Sequence, residues 1–248
     1  MGVWLPRGAL VLSLALAHVL PGAAAATDDA YAEARRAMVR QIEEIAGIAR
    51  GGDVPGEIDD RVLAAMEAVP RHELVPEPVR RHAYEDRPLP IGYGQTISQP
   101  YIVALMTDLL AVGPDATVLE VGTGSGYQAA VLSGLVDRVY SVEIVEPLAA
   151  LAARRLTALD YPNVTVRAGD GYYGWAEHAP FDAIVVTAAA SHVPPPLVEQ
   201  LRPGARMVIP VGPSFMVQTL MLVEKAADGA VRTRALLPVR FVPLTGGE

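Results

Sequence analysis

A glycine-rich loop and three acidic residues are the parts of this sequence whose types and spacing point to chemistry. Residues 120–126 have the sequence EVGTGSG and stand between a predicted strand and a predicted helix. Glycines allow the backbone to approach a ligand closely, and the N-terminus of a helix favours electron-rich groups. Because open α/β sheets bind ligands beyond the carboxyl ends of their strands, the loop predicts a ligand site.

Two common phosphate-binding loops fit this stretch poorly. A dinucleotide loop of the G-x-G-x-x-G type would need a third small residue at position 127, where this chain has Tyr127. A P-loop would need a lysine after its last glycine, and the single lysine of the chain is Lys225. Glu120 would also repel a pyrophosphate, whereas it would attract an ammonium or sulfonium group.

Two further acids follow the next predicted strands. Glu143 lies about twenty residues after the glycine loop, where a carboxylate typically accepts hydrogen bonds from ribose hydroxyls. Asp170 follows the third strand and is placed to accept from an adenine amino group. Each acid alone is equally consistent with a solvated loop carboxylate, but three at successive strand ends favour S-adenosylmethionine as the cofactor. The cofactor-binding residues predicted from this pattern are Glu120, Gly122, Gly124, Ser125, Glu143, Asp170 and Gly171.

Alternating strands and helices after residue 116 predict the framework that positions these groups. Apolar runs predict strands at residues 117–121, 138–142, 164–166, 183–186 and 206–211. The third and fourth runs have the pattern of buried parallel strands. Helices are predicted at 127–136, 147–159 and 193–201, and closing β-rich stretches at 218–224 and 233–242. This order predicts an α/β fold with a doubly wound, mostly parallel seven-stranded sheet and an antiparallel C-terminal hairpin.

The part of the chain before this region predicts two helices and a long proline-rich loop. Apolar residues recur at helical spacing over residues 30–50, and a second helix is predicted at 57–68. Six prolines between positions 70 and 100 predict a mostly irregular segment. Loops of this length are more often functional than idle, so the segment is a candidate part of the site.

The proline-rich segment also carries the most specific motifs of the chain. Residues 69–76 have the sequence VPRHELVP, residues 83–92 AYEDRPLPIG, and residues 94–101 GQTISQPY. Together with the glycine loop and the closing RFVPLT at 240–245, these motifs closely resemble the protein-L-isoaspartate O-methyltransferase family. The resemblance covers roughly residues 30–245 and implies a Rossmann-like methyltransferase fold.

The resemblance implies methyl transfer from S-adenosylmethionine to the free α-carboxylate of L-isoaspartyl residues in damaged proteins and peptides. The methyl ester then re-forms a succinimide, which starts repair. Ser98 corresponds to the family's catalytic serine, Thr96, Ile97 and Ser98 to the segment that closes over the cofactor, and Thr245 to a residue near the cofactor. Without the resemblance, Ser98 is equally a loop residue whose hydroxyl satisfies backbone groups.

Two other functions fit parts of the pattern. One is an S-adenosylmethionine-dependent methyltransferase of another small-molecule substrate, and the other is a non-catalytic domain that binds isoaspartyl peptides. Tyr84 and Asp86 are candidates for a substrate groove, with packing against the proline-rich loop as the alternative. The histidines show no metal-ligand spacing, so we expect no metal site and interpret His72, His82, His178 and His192 as surface or loop residues.

Composition bounds the partners. The formal charge of −8 argues against a nucleic-acid binder that works by phosphate neutralisation, and the absence of cysteine excludes thiol chemistry. The resemblance implies isoaspartyl proteins and peptides as the substrates, and we expect a monomer as the working unit.

The first 26 residues differ from the rest, because they contain no acid and one basic residue, Arg7, followed by an apolar run and four alanines. This pattern predicts a signal peptide, residues 1–26, cleaved near Ala26, and a periplasmic or secreted enzyme without stable membrane association. The alternatives are a retained anchor and a start codon placed too early, the latter leaving a cytoplasmic enzyme. The mature methyltransferase domain is then 27–248, with a helical and loop part at 27–100 and the cofactor-binding sheet at 101–248.

Overall fold

The computed structural model describes residues 1–2, 23–49 and 54–247, with side chains described for residues 1–2, 30–49 and 54–247. Most of the predicted signal peptide falls in residues 3–22, which lie outside the described residues. The first helix, α1 (Ala23–Ile48), runs without a break past the predicted cleavage point. Among helices formed by the described residues, none is long and apolar enough to cross a membrane.

Two of the other helices of the described chain precede a large sheet, and three alternate with its strands. They are α2 (Asp60–Ala68), α3 (Pro100–Leu110), α4 (Tyr127–Ser133), α5 (Glu146–Ala158) and α6 (Pro195–Gln200). A small antiparallel pair, β1 (Leu89–Gly92) and β2 (Gln95–Ile97), precedes α3. The large sheet contains β3 (Thr117–Val121), β4 (Arg138–Glu143), β5 (Val164–Ala168), β6 (Phe181–Val186), β7 (Leu201–Val211), β8 (Gln218–Lys225) and β9 (Val231–Val239).

The strand order of the large sheet is β5-β4-β3-β6-β7-β8-β9. The pairs from β5 to β7 are parallel, whereas β8 and β9 pair antiparallel at the C-terminal edge. The predicted seven-stranded, doubly wound fold is therefore confirmed. The chain proceeds outward from β3 on one side and returns to β6 on the other, so a crevice opens beyond the carboxyl end of β3.

Apolar side chains from the two faces of the sheet form two cores. On one face, α1 to α5 pack residues such as Ile42, Met66 and Leu105 against the sheet. On the other face, Leu197 of α6 packs with Trp175 and alternate residues of the same strands. The period of two along each strand places successive side chains in different cores, which holds the carboxyl ends of the strands between two packed layers.

Several predicted boundaries need correction. Helix α3 was not predicted, and most of its residues are apolar and buried. The run at 164–166 is not a fully buried strand, because β5 is the edge strand and its side chains are half-buried or exposed. Strand β7 begins at Leu201, and β9 ends at Val239, so residues 240–242 have left the sheet.

The proline-rich segment is more ordered than predicted. It contains two short 3₁₀ helices, Arg71–Leu74 and Glu77–His82, and the β1–β2 hairpin. The hairpin turns through Gly92, Tyr93 and Gly94, all with positive φ. This compact turn returns the chain to the sheet and delivers residues 95–98 to the crevice.

Candidate active site

Two cavities meet at the end of β2. The outer cavity has a volume of about 440 Å³ and is lined by residues that include Ser98, Gln99, Ile102, Val217, Arg240 and Phe241. The inner cavity, of about 50 Å³, is lined by the glycine loop and by residues 95–98. Four residues line both cavities, Thr96, Ser98, Thr187 and Val242, so Ser98 lies where the two spaces adjoin.

The glycine loop closes tightly against the end of β6. Gly122 has φ +98°, and a Cβ there would lie 2.6 Å from the Thr187 hydroxyl oxygen. That hydroxyl donates a 2.6 Å hydrogen bond to the Gly122 carbonyl. A side chain at this position would break the contact, so glycine is needed for close approach as well as for its backbone angle.

Glu143 is bound to the loop rather than standing free. Its Oε2 accepts a 2.7 Å hydrogen bond from the Gly124 amide, and its Oε1 accepts from the Val145 amide at 2.9 Å. The side chain is buried and lines the inner cavity. Each carboxylate oxygen can accept more than one hydrogen bond, so Glu143 positions the loop and still offers acceptors to a ligand.

Glu120 is fully buried within β3, one residue before the end of the strand. The Ser141 hydroxyl donates to its Oε2, whereas its Oε1 is buried without a partner among the described residues. Burial raises the pKa of the Glu120 carboxyl to about 8. Without a ligand the group is therefore mainly neutral near pH 7, and a cation placed at Oε1 would lower the pKa and favour the carboxylate.

Asp170 is held by the C-terminal segment. Its Oδ1 accepts from the Tyr172 amide at 2.9 Å, and its Oδ2 accepts from the Gly247 amide at 2.8 Å. Gly246 lies so close that a Cβ there would stand 2.4 Å from the carboxylate. The preceding residues 242–244 are anchored to Ala189 by backbone hydrogen bonds. We call residues 245–247 the C-terminal tail.

The structure brings together most of the predicted residues, but not all. Eight line the inner cavity: Thr96, Ile97, Ser98, Glu120, Gly122, Gly124, Ser125 and Glu143. The other three do not line it. Asp170 accepts a hydrogen bond from the C-terminal tail, Gly171 begins the 3₁₀ helix after it, and Thr245 is an exposed residue of the tail.

Arg71 is a site-positioning residue that the sequence did not single out. It is fully buried, and its guanidinium donates to the Ala83 carbonyl at 2.6 Å and to the Ser98 carbonyl at 2.7 Å. The guanidinium also lies 4.6 Å from the ring centre of Tyr127, which lines the inner cavity. Burial lowers the pKa of Arg71 to about 10, so it remains a cation at neutral pH. The sequence shows an arginine at this position of the 69–76 motif, but it does not indicate that the side chain is buried.

Asp86 and Tyr84 make contacts within the proline-rich segment and its neighbours and do not line either of these two cavities. Asp86 accepts from the Tyr101 amide at the start of α3 and from the Gln99 side chain, at 2.8 and 2.6 Å. Tyr84 is buried and hydrogen-bonds His72 at 2.6 Å. The prediction for His72 was therefore wrong, because the ring is buried and stacks on Tyr31 rather than facing solvent.

No cluster of three or more His, Cys, Asp or Glu side chains suited to a metal ion occurs within the described ranges. The polar groups that line the inner cavity include the unpaired Oε1 of Glu120 and the loop-bound carboxylate of Glu143. That set fits a ligand carrying both a cation and hydroxyl groups, which agrees with S-adenosylmethionine.

Comparison with known proteins gives one consistent result. The sequence profile of the family described as protein-L-isoaspartate(D-aspartate) O-methyltransferase matches residues 55–248. Protein-L-isoaspartate O-methyltransferase 2 of Syntrophobacter fumaroxidans is 62% identical over 241 residues, which cover 97% of this chain and 98% of that protein. Protein-L-isoaspartate O-methyltransferase 1 of Cupriavidus necator is 62% identical over 242 residues, covering 97% and 93%.

Solved structures extend the likeness to the fold. A protein-L-isoaspartate O-methyltransferase matches with a TM-score of 0.75 at 29% identity, over 86% of this chain and 66% of that chain. A Plasmodium falciparum protein described as a beta-aspartate methyltransferase, in complex with S-adenosyl-L-homocysteine, matches with a TM-score of 0.70 at 25% identity. That match covers 85% of this chain and 98% of the other.

Proposed function

Because the chain belongs to the protein-L-isoaspartate O-methyltransferase family, we propose that it performs the family's reaction at the junction of its two cavities, with Ser98 as the catalytic residue. The reaction methylates the free α-carboxylate of an L-isoaspartyl residue in a damaged protein or peptide. S-adenosylmethionine supplies the methyl group on an electrophilic sulfonium. The observation that carries the proposal is the position of Ser98, which lines both the inner and the outer cavity.

The inner cavity supplies the groups that hold the cofactor. The unpaired Oε1 of Glu120 offers a buried acceptor to a cation, and Glu143 offers acceptors to hydroxyl groups. Asp170 and Gly171, with Thr245 of the C-terminal tail, complete the site in this proposal. The inner cavity, of about 50 Å³, is far smaller than the roughly 300 Å³ or more typical of ligand pockets. Residues 96–98, which line this cavity, would have to move for the cofactor to enter.

The outer cavity receives the isoaspartyl residue. A carboxylate is already ionised near pH 7, so the attack needs no general base. The Ser98 hydroxyl donates one hydrogen bond to one carboxylate oxygen and leaves the other oxygen free to attack. The contact from Arg71 engages the Ser98 carbonyl and not the hydroxyl, so it orients the residue without occupying the reacting group. Alignment of the carboxylate oxygen with the methyl carbon and the sulfur, together with exclusion of water, then accelerates the reaction.

A direct assay tests this function. The full chain is mixed with radiolabelled S-adenosylmethionine and with two peptides that differ only in carrying isoaspartate or aspartate. We expect label on the isoaspartyl peptide alone, released by mild base as expected for a methyl ester. Equal labelling of both peptides, or none on either while cofactor binding is demonstrated by calorimetry, would contradict the proposal.

We also propose that the enzyme is exported and acts as a monomer on periplasmic or secreted proteins after cleavage near Ala26. The support is the acid-free, apolar character of residues 1–26. N-terminal sequencing of the native protein from cell fractions tests the export. A first residue near Thr27 in the exported fraction supports it, and Met1 in the cytoplasmic fraction contradicts it.

A further inference from the structure

The turn between β7 and β8 exposes three consecutive large apolar side chains. Phe215 is 87% exposed, Met216 63% and Val217 49%. We call these residues the 215–217 tip. A run of exposed apolar residues of this kind commonly marks an interaction surface rather than an idle loop.

Buried contacts at the base of the turn hold the 215–217 tip in place. Gln218 is almost fully buried, and its side-chain amide donates to the Pro213 carbonyl at 3.1 Å while its carbonyl accepts from the Phe241 amide at 2.9 Å. A Cβ on Gly212 would stand 3.1 Å from the Gln218 Cα, so the two strands leaving the turn approach closely. Phe215 itself has φ +62°, an unusual angle for a bulky residue. The tip is therefore presented in a defined shape.

The same residues connect the tip to the active site. Val217 lines the outer cavity together with Ser98, and Phe241, which hydrogen-bonds Gln218, lines it as well. An isoaspartyl residue reaching Ser98 belongs to a polypeptide that continues on both sides. The residues next to the isoaspartate must therefore leave the outer cavity across its rim, where Val217 stands.

We propose that the 215–217 tip binds apolar side chains next to the isoaspartate in the substrate polypeptide, and so favours damaged sites with apolar neighbours. This inference rests on the proposed function, because it assigns the substrate to the outer cavity. The turn residues 213–217 carry no charge, so the contact is apolar burial and not ion pairing. The unbranched side chain of Met216 can change its rotamer to fit different apolar shapes, which suits an enzyme that acts on many substrates.

The experiment compares two isoaspartyl hexapeptides under saturating S-adenosylmethionine, one with leucine and valine beside the isoaspartate and one with serine and glycine. For the full chain, we expect a KM about fivefold to tenfold lower for the apolar peptide. This is the gain in affinity expected when part of an apolar side chain is buried. The double variant Phe215→Ser/Met216→Ser should lose this preference and keep kcat and the KM for the cofactor. Val231→Ser is the matched control, because Val231 is 46% exposed on the β8–β9 side of the sheet and does not line the outer cavity.

The outcomes separate this inference from the function itself. Equal KM values for both peptides with the unchanged chain, or a preference that survives in the double variant, would overturn the role of the tip while leaving the activity intact. A double variant that changes only the oligomeric state in size-exclusion chromatography would also overturn it and assign the tip to contacts between copies. No methylation of either peptide would refute the proposed function, and the inference with it.

Discussion

At the residue scale, the surroundings of each side chain decide what its functional group can do. Ser98 and Glu120 both contribute to the inner cavity, but Ser98 is half-buried at the junction of two cavities and Glu120 is completely enclosed. The Ser98 hydroxyl therefore has access to a substrate, whereas the Glu120 carboxyl stays mainly protonated until a cation binds beside it. Their substitution should affect different steps.

Replacing Ser98 by alanine should lower kcat about 10- to 100-fold, the range expected from one lost hydrogen bond to a charged group. The cofactor dissociation constant should change little, because cofactor binding rests on other residues of the inner cavity. Steady-state kinetics and calorimetry measure the two quantities. Ser191→Ala is the control, since the Ser191 hydroxyl is exposed and contacts His192. A large loss of cofactor affinity in Ser98→Ala would instead assign Ser98 to the cofactor pocket.

Replacing Glu120 by glutamine should reduce the dependence of the free energy of unfolding on pH between pH 6 and pH 9. The folded chain keeps this proton up to about pH 8, whereas the group's ordinary pKa is 4.5. The free energy of unfolding therefore falls as pH rises through that window, because the folded state binds the extra proton there. Between pH 6 and pH 9, the Tm of the unchanged chain should fall more than that of Glu120→Gln. Parallel melting curves for the two proteins would contradict this assignment.

Cofactor binding provides an independent measurement on the same residue. A cation at Oε1 lowers the pKa of Glu120, so binding near pH 7 should release a proton from the unchanged chain and none from this group in Glu120→Gln. Calorimetry in two buffers with different ionisation enthalpies reports the number of protons released. Identical proton release from both proteins would place the cation elsewhere.

At the element scale, two segments outside the large sheet make long-range contacts with predicted site residues. Arg71 connects the first 3₁₀ helix to residue 98 through a hydrogen bond that spans 27 positions of the chain. The C-terminal tail reaches Asp170 across 77 positions. Both contacts tie an irregular segment to the carboxyl edge of the sheet, and each can be altered without changing a group that touches the substrate.

Arg71→Lys keeps the charge but cannot donate to the Ala83 and Ser98 carbonyls in the same planar geometry. We expect a loss of about 1–3 kcal/mol in the free energy of unfolding and a fall in kcat of about tenfold, because the Ser98 segment loses its orientation. Urea unfolding and kinetics below the transition measure both effects. Arg81→Lys, on the exposed side of the next 3₁₀ helix, should change neither. A lower stability with normal kcat would limit Arg71 to a packing role.

Gly246→Ala should weaken cofactor binding about three- to tenfold while leaving kcat unchanged. Its Cβ would meet the Asp170 carboxylate at 2.4 Å, so either the tail or the carboxylate must move. Gly229→Ala is the control, because φ is +84° there but nothing lies within 4 Å of the added Cβ. Equal effects of the two substitutions on the cofactor dissociation constant would show that the tail does not act at the site.

At the scale of the whole molecule, α1 belongs to the same core as the sheet. Ile42 is fully buried beside residues of α2 and α3, whereas Ile48 at the end of the same helix is 84% exposed. Ile42→Ala should therefore cost about 2–5 kcal/mol in the free energy of unfolding. Ile48→Ala should stay within about 0.5 kcal/mol, and urea titration of both variants checks the difference. Similar costs for both would mean that α1 does not contribute its inner face to the core.

Sequence patterns predicted most of the sheet, because strands and amphipathic helices have characteristic apolar periods. Helix α3 and strand β5 are exceptions. Nine of the eleven residues of α3 are buried, and β5 has an ordinary strand sequence at an edge position. Neither the α3 helix nor the partial exposure of β5 was inferred from the apolar pattern. Five of the predicted site residues that line the inner cavity, Glu120, Gly122, Gly124, Ser125 and Glu143, were found because a turn after a strand places its glycines and acids near the carboxyl edge. Thr96, Ile97 and Ser98 were found through the family resemblance.

The sequence by itself determined the α/β order, the glycine loop, the preference for a cationic cofactor and the motif that contains Ser98, because these depend on neighbours along the chain. Tertiary structure alone decided that Glu120 is enclosed and mainly neutral, that Arg71 holds Ser98, that the tail lies on Asp170 and that the 215–217 tip borders the outer cavity. Burial and hydrogen bonding between distant residues set these properties, and neither is encoded in local spacing.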